Sequence, residues 1–125
     1  QINSYIYSLG EMKGRANEQS LAIPTAQGLV VITGCAHPGI VEIVQEAKKQ
    51  FPNEKINLVL GGFHLNQHSE NDVRKIAQKL KALGVEKAGA THCTGEHQIA
   101  MLQKAYGDNF VPMGTGRVLT FTAAE

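Results

Sequence analysis

Three histidines stand where short apolar segments of the chain end. They are His37, His64 and His92, and each follows a segment of the kind that forms a buried strand. The imidazole ring is the commonest metal ligand in proteins and suits zinc, iron and manganese. A catalytic metal site typically takes about three protein ligands and keeps a further position open for water or substrate. Each histidine could instead be an ordinary polar residue at a strand end.

Small residues accompany these histidines. Gly34 and Gly62 precede His37 and His64, and Thr94 and Gly95 follow His92. Glycine lets the backbone approach a ligand closely, and the start of a helix presents free N–H groups to an anion. We therefore predict that Gly62, Thr94 and Gly95 contact a substrate through a phosphate or carboxylate group. An ordinary helix N-cap is the alternative role for Thr94.

The remaining reactive side chains carry weaker signals. Cys35 and Cys93 could be metal ligands, nucleophiles or small buried apolar residues, and the sequence favours the buried role because it assures no charged partner. Reduced thiols in the cytoplasm are expected rather than a disulfide. His68 and His97 lie in a polar loop and in the first turn of a predicted helix, so both are expected at the surface.

Strands and helices alternate along most of the chain, which predicts an α/β layer. An edge strand at 2–9 and a loop at 10–19 precede strands at 20–24, 29–33, 56–60, 85–90 and 117–122. A turn at Ala26-Gln27-Gly28 makes the first two of these five a hairpin. Helices begin after Pro38, near Ser69 and after Thr94. The carboxyl ends of strands line the ligand crevice of such sheets, so the three histidines should share it.

Length and composition restrict the function further. The 125 residues suit one domain, and a formal net charge of +1 with interspersed basic and acidic residues argues against a nucleic-acid partner. No apolar segment is long enough for a membrane span. No Gly-x-Gly-x-x-Gly sequence follows a strand, which disfavours a dinucleotide-binding module. The chain starts at Gln1 within a predicted strand, so an upstream region is expected to be missing.

Three motifs together carry a family resemblance. They are Val30-Val31-Ile32-Thr33-Gly34-Cys35-Ala36-His37-Pro38-Gly39-Ile40, then Gly61-Gly62-Phe63-His64-Leu65, then His92-Cys93-Thr94-Gly95. In this order the chain resembles the C-terminal half of a metallo-β-lactamase superfamily protein. The nearest branch is the one of dihydropterin-6-ylmethyl-(ribofuranosyl)aminobenzene 5′-phosphate synthase-like proteins, and the resemblance extends from about Glu18 to Phe121.

The resemblance implies a fold and a metal site. The fold would be half of an αββα sandwich, a mixed sheet with helices on one face. His37 and His92 match the histidines of the superfamily's third and fifth motifs, whereas His64 lies just after the strand that usually ends in a bridging aspartate or cysteine. The expected cofactor is a divalent metal, zinc with iron or manganese as alternatives, held by His37, His64 and His92. The expected substrate is a small anionic or pterin-like molecule.

Two functions stay open. The superfamily's His-x-His-x-Asp-His motif is absent from these residues, so the first expectation is a hydrolase or transferase that is incomplete as an enzyme in this chain alone. No catalytic residue is assigned. The second expectation is a non-catalytic half-domain that oligomerises and binds a metal or small ligand. In either case the apolar face of half a sandwich needs cover, from a second copy or from the missing N-terminal half.

Overall fold

Five strands form one mixed sheet in the computed structural model, which describes residues 1–125. In spatial and chain order they are β1 (Tyr7–Met12), β2 (Glu18–Thr25), β3 (Gly28–Ile32), β4 (Ile56–Gly62) and β5 (Val85–Thr91). β1, β2 and β3 pair antiparallel, whereas β3, β4 and β5 pair parallel. The predicted hairpin turn between β2 and β3 is confirmed. The three parallel strands therefore end at one edge of the sheet.

Three amphipathic helices follow the three parallel strands. They are α1 (Ile40–Gln50), α2 (Glu70–Ala82) and α3 (Glu96–Tyr106). Ser69 caps α2 as predicted, because its hydroxyl accepts a 3.2 Å hydrogen bond from the Asp72 backbone N–H. No helix of the chain combines the length and the apolarity that crossing a bilayer requires.

The helices cover one face of the sheet. Leu29 and Val31 of β3 and Val59 of β4 belong to a core cluster of 22 buried residues that includes the apolar stripes of all three helices. Val30 and Leu58 are equally buried but lie outside this cluster. Successive strand residues point to opposite faces, so these two belong to the second face. The predicted α/β class, with helices on one face of a mixed sheet, is confirmed.

The C-terminal segment lies against the second face and is not the strand predicted at 117–122. Leu119 and Phe121 line a cavity there together with Val30, Ile32 and other strand residues. The segment makes only one isolated bridge to the sheet, from Ala123 to Thr25. The apolar side chains of this segment pack on the sheet, which accounts for the alternating pattern. The backbone does not form a ladder of hydrogen bonds with the sheet, so the segment is not a strand.

The N-terminal strand also differs from its prediction. The pattern predicted a strand at 2–9 and a loop at 10–19, whereas β1 starts at Tyr7 and continues to Met12. Gly10 adopts a φ of 88° where the register between β1 and β2 shifts. A strand tolerates glycine at such an irregularity. Gly10, which predicted the start of a loop, therefore lies inside β1.

Candidate metal centre

The turns at the carboxyl ends of the three parallel strands share an unusual backbone feature. Ala36, His64 and His92 have φ values of 59°, 50° and 56°, and they are the chain's only non-glycine residues with positive φ. Side chains disfavour this left-handed conformation, by roughly 1–3 kcal/mol at each residue. Strain of this kind clusters at functional sites, so its position at one edge of the sheet supports a site there.

Glu18, the first residue of β2, fixes the orientation of His37. Its Oε1 lies 2.5 Å from His37 Nδ1 and accepts a 2.8 Å hydrogen bond from the His37 backbone N–H. Its Oε2 accepts a 3.0 Å hydrogen bond from the Ala36 backbone N–H. A carboxylate on one ring nitrogen sets the histidine tautomer and leaves the other nitrogen, here Nε2, as the ligand atom. The sequence interpretation missed Glu18, because a single acid at the start of a strand carries no spacing signal.

The same hydrogen bonds keep Glu18 ionised. Burial alone would raise the pKa of the Glu18 carboxyl, but the hydrogen bonds from His37 and Ala36 outweigh it and hold the pKa below its ordinary value of 4.5. Glu18 is therefore a carboxylate at neutral pH and an acceptor for the His37 ring.

His37 and His64 lie side by side. Their ring centroids are 4.6 Å apart, with the planes tilted by 49°. His64 Nδ1 is buried and has no hydrogen-bond partner, and an unsatisfied buried polar atom costs about 1–3 kcal/mol. A metal ligand bond would satisfy this nitrogen. The orphaned nitrogen of His64 and the oriented ring of His37 therefore fit a divalent metal.

A cavity of about 270 Å³ opens beside the two rings. Side chains of α1 and α2 form much of its wall, and its polar lining includes His37, His64, His68 and Lys79. His68 is exposed, as predicted, and His97 is exposed on α3. A small molecule in this cavity would meet the Lys79 ammonium group and imidazoles together with the carboxylate of Glu42.

His92 lies with the two cysteines. Cys35 Sγ is 3.6 Å from His92 Nδ1, and Cys93 Sγ lies 3.4 Å from the Cys35 carbonyl oxygen. The ligand atoms of all three residues lie within 4.8 Å of one another. The favoured prediction of two buried apolar cysteines is wrong, because both thiols are free, only partly buried and in polar contact at the strand ends. Burial and the neighbouring Cys93 thiol raise the pKa of Cys35.

The structure thus brings the predicted ligands together in two groups. His37 contacts His64, whereas His92 joins the cysteines, and the three histidines do not form one group with ligand atoms within 4.8 Å of one another. The three-histidine ligand set stays a prediction. The cysteines could not be assigned to His92 from spacing, since Cys35 and His92 are 57 positions apart in sequence.

Thr94 holds two strand ends together. Its side chain is completely buried, and its hydroxyl donates to the Thr91 carbonyl at 2.7 Å and accepts from the Phe63 N–H at 3.0 Å. Both hydrogen bonds are internal, so a substrate at this turn would meet backbone rather than the hydroxyl. The predicted substrate contacts of Thr94, Gly95 and Gly62 stay predictions.

Gly62 and Gly95 allow close approaches at this edge. A Cβ on Gly62 would lie 2.5 Å from the Gly34 carbonyl oxygen and 2.8 Å from Cys93 Sγ. Gly95, with a φ of 91°, would place a Cβ 3.0 Å from the Asn66 Cα. The prediction that Gly34 allows a close backbone approach is wrong. A Cβ at Gly34 would meet only Glu18 Oε2, at an ordinary contact distance of 3.5 Å. Close backbone approach therefore requires glycine at Gly62 but not at Gly34.

Sequence comparison relates the chain to two archaeal proteins. It is 35% identical over 105 residues to the 7,8-dihydropterin-6-methyl-4-(beta-D-ribofuranosyl)-aminobenzene-5'-phosphate synthase of Methanocaldococcus jannaschii, covering 84% of this chain and 36% of the synthase. It is 33% identical over 108 residues to the uncharacterized protein MJ0448 of the same archaeon, covering 86% of this chain and 39% of that protein. No protein-family model matches the chain.

Structural comparison gives a concordant result. The chain superposes on Tm1679, a metal-dependent hydrolase of the beta-lactamase superfamily, with a TM-score of 0.79 and 38% identity, covering 85% of this chain and 41% of Tm1679. The resemblance predicted from the strand-end motifs is confirmed by both comparisons. The chain spans little more than a third of the length of the two archaeal proteins.

Proposed function

We propose, starting from the metallo-β-lactamase fold and motifs that this chain carries, that it forms the metal-binding half of a metal-dependent hydrolase or pterin-related synthase. The observation that carries the proposal is the pair of rings at the parallel edge of the sheet. One ring, that of His37, is oriented by Glu18, and the other, that of His64, has an orphaned buried nitrogen. Such a pair of rings is arranged to coordinate a metal cation.

His37, His64 and His92 hold the metal in this proposal. His37 uses Nε2, since Nδ1 faces Glu18. Zinc is the first choice for imidazole ligands, with iron and manganese as alternatives. When bound, the metal polarises a phosphate or carbonyl oxygen or lowers the pKa of a bound water. Further ligands come from a segment outside these residues, because the chain lacks the His-x-His-x-Asp-His motif.

The substrate we propose is a small anion, with phosphate- and pterin-bearing molecules first because a similar protein is named as a synthase of that type. Two features support an anion. Lys79 and His68 line the cavity beside the two histidines, where Glu42 is the one acidic lining residue, and α3 follows its N-cap Gly95 with backbone N–H groups that have no partner within the helix. Cys35 and Cys93 as free thiols fit a reducing cytoplasm.

The alternative function is a non-catalytic half-domain. It is favoured by the apolar second face of the sheet, where Ile32 and Leu60 are only partly covered by the C-terminal segment. A second copy, or the missing half, would cover this face, and the histidines would bind a metal or small ligand without turnover.

Metal affinity tests the proposal. Zinc is titrated in competition with a chelator into the metal-free chain with Cys35 and Cys93 replaced by serine, so that the neighbouring thiols take up no zinc, and the same is done after adding His37→Ala or His92→Ala. Each substitution should lower zinc affinity by at least about tenfold, the lower end of what even the loss of a supporting partner costs. His97→Ala is the matched control, because His97 is exposed on α3. Unchanged affinity in His37→Ala would remove His37 as a ligand and the proposed function with it.

A further inference from the structure

Two thiols and an imidazole converge at the edge of the sheet where the parallel strands end. The three ligand atoms of Cys35, His92 and Cys93 lie within 4.8 Å of one another, and Cys35 Sγ lies 3.6 Å from His92 Nδ1. Cys35 comes from the turn after β3, whereas the other two follow β5, so the tertiary fold alone assembles the group.

The spacing matches what a tetrahedral cation requires. Zinc–sulfur bonds of about 2.3 Å and zinc–nitrogen bonds of about 2.0 Å at a tetrahedral angle place adjacent sulfur and nitrogen ligands about 3.5 Å apart and two sulfurs about 3.8 Å apart. The observed 3.6 Å from sulfur to nitrogen fits the first value. The 4.8 Å limit on all three pairs leaves only small side-chain rotations to complete the site.

The backbone around the cluster makes room for it. Cys93 Sγ lies 2.8 Å from the point where a Cβ on Gly62 would be, so only glycine at that position leaves space for the thiol. His92 is held in the left-handed conformation, with a φ of 56°, and its side chain is exposed. Three protein ligands at an exposed edge leave a fourth position open to water or to another ligand.

We propose that Cys35, His92 and Cys93 form a second metal site, selective for a thiophilic cation such as Zn²⁺. Two thiolates and one imidazole favour zinc over magnesium or manganese, which prefer oxygen ligands. This site goes beyond the proposed function and shares only His92 with it, because Nδ1 of His92 faces the thiols and leaves Nε2 for the metal that His37 and His64 hold. It assigns Nδ1 of His92 to the thiol group.

Cobalt(II) binding tests the second site directly. Co²⁺ is titrated into the metal-free, reduced chain, and a thiolate-to-cobalt charge-transfer band is expected in the near-ultraviolet. Cys35→Ser and Cys93→Ser should each remove most of this band. His97→Ala is the matched control and should retain the band, because His97 is exposed on α3 and belongs to neither site. Absence of the band in the unmodified chain, or an undiminished band in both serine variants, would overturn the proposal.

Thiol protection gives a second measurement that needs no variant. Excess Zn²⁺ should slow alkylation of Cys35 and Cys93 by at least about tenfold in the unmodified chain, because bound thiolates are shielded from the reagent. Equal alkylation with and without Zn²⁺ would contradict the site. The two proposals fail separately. Absence of the charge-transfer band from the unmodified chain ends the thiol site alone, and unchanged zinc affinity on adding His37→Ala to the chain without thiols ends the proposed function alone.

Discussion

Glu18 acts on the site through another side chain. Its carboxylate accepts from two backbone N–H groups and faces the His37 ring. Partners of this kind orient a metal-bound histidine and raise its basicity. Glu18 is therefore a positioning residue, and its effect should appear in metal binding more than in folding.

Glu18→Gln should lower the zinc affinity of the chain by about 10–100-fold, because the amide neither attracts the Nδ1 proton as strongly nor serves both N–H groups. Chelator competition at neutral pH measures the affinity in a chain with Cys35 and Cys93 replaced by serine, so that the thiols take up no zinc. Glu11→Gln, an exposed strand carboxylate, is the matched control. Glu18→Asp should keep more affinity than Glu18→Gln. Equal losses in the two Glu18 variants would indicate a packing role instead.

Gly62→Ala should disturb the site, whereas Gly34→Ala should not. A methyl group at Gly62 meets the Gly34 carbonyl oxygen and the Cys93 thiol, whereas one at Gly34 meets only ordinary contact. Overpacking of this kind typically lowers the free energy of unfolding by about 1–3 kcal/mol. Denaturant unfolding measures stability, and the alkylation rate of Cys93 measures displacement of the thiol. Matching results for the two variants would contradict the close approach at Gly62.

At the scale of elements, α2 has a complete N-terminal cap. Ser69 accepts from the Asp72 N–H and donates to Asp72 Oδ2 at 2.8 Å. This hydrogen bond lowers the pKa of Asp72 below its ordinary value of 3.8. A lowered pKa means that the contribution of Asp72 is present above that ordinary value and is lost as pH falls through the lowered pKa.

Ser69→Ala should lower the free energy of unfolding by about 0.5–2 kcal/mol at neutral pH, because α2 loses its cap. The pKa of Asp72, followed by NMR, should return toward its ordinary value. The stability difference between the two proteins should narrow as pH falls below about 3.8, where protonation removes the carboxylate. Asn71→Ala, exposed in the same turn, is the control. A difference that does not change with pH would show that Asp72 takes no part in the cap.

The helices and central strands were predictable because their signals are local. Apolar residues at helical spacing, Ser69 before α2, and Gly84 and Gly107 after α2 and α3 all act within a few residues of the element that they shape. The edges of the sheet were less predictable. The conformation of Gly10 in β1 and of the segment after α3 depends on the part of the sheet that each one contacts. Those contacts are made with other elements of the chain, so no local pattern reports them.

At the scale of the whole molecule, the second face of the sheet has apolar side chains that are only partly buried. Ile23, Ile32 and Leu60 line a cavity of about 270 Å³ there, and the C-terminal segment covers it only in part. Apolar faces of this kind usually meet a partner. The proposal that this chain pairs with a second copy, or with another half of the sandwich carried outside these residues, rests on this face.

Sedimentation at micromolar concentration should therefore show a dimer of the isolated chain. Ile32→Lys should weaken the dimer, because it places a charge on the second face. Ile2→Lys is the matched control, since Ile2 is an exposed isoleucine ahead of β1. A monomer at every concentration tested would contradict pairing with a second copy, and a dimer unaffected by Ile32→Lys would place the interface elsewhere.

The sequence alone determined the α/β class, the three helices, the parallel strands and the strand-end positions of His37, His64 and His92, because periodicity and capping are local properties. It also carried the family resemblance. Only the tertiary structure decided that Glu18 orients His37, that His92 lies with Cys35 and Cys93, and that the last segment lies against a face of the sheet. These contacts join residues between 19 positions apart, as for Glu18 and His37, and 95 positions apart, as for Gln27 and Thr122. Their geometry depends on strand register and side-chain rotation, which no local pattern encodes.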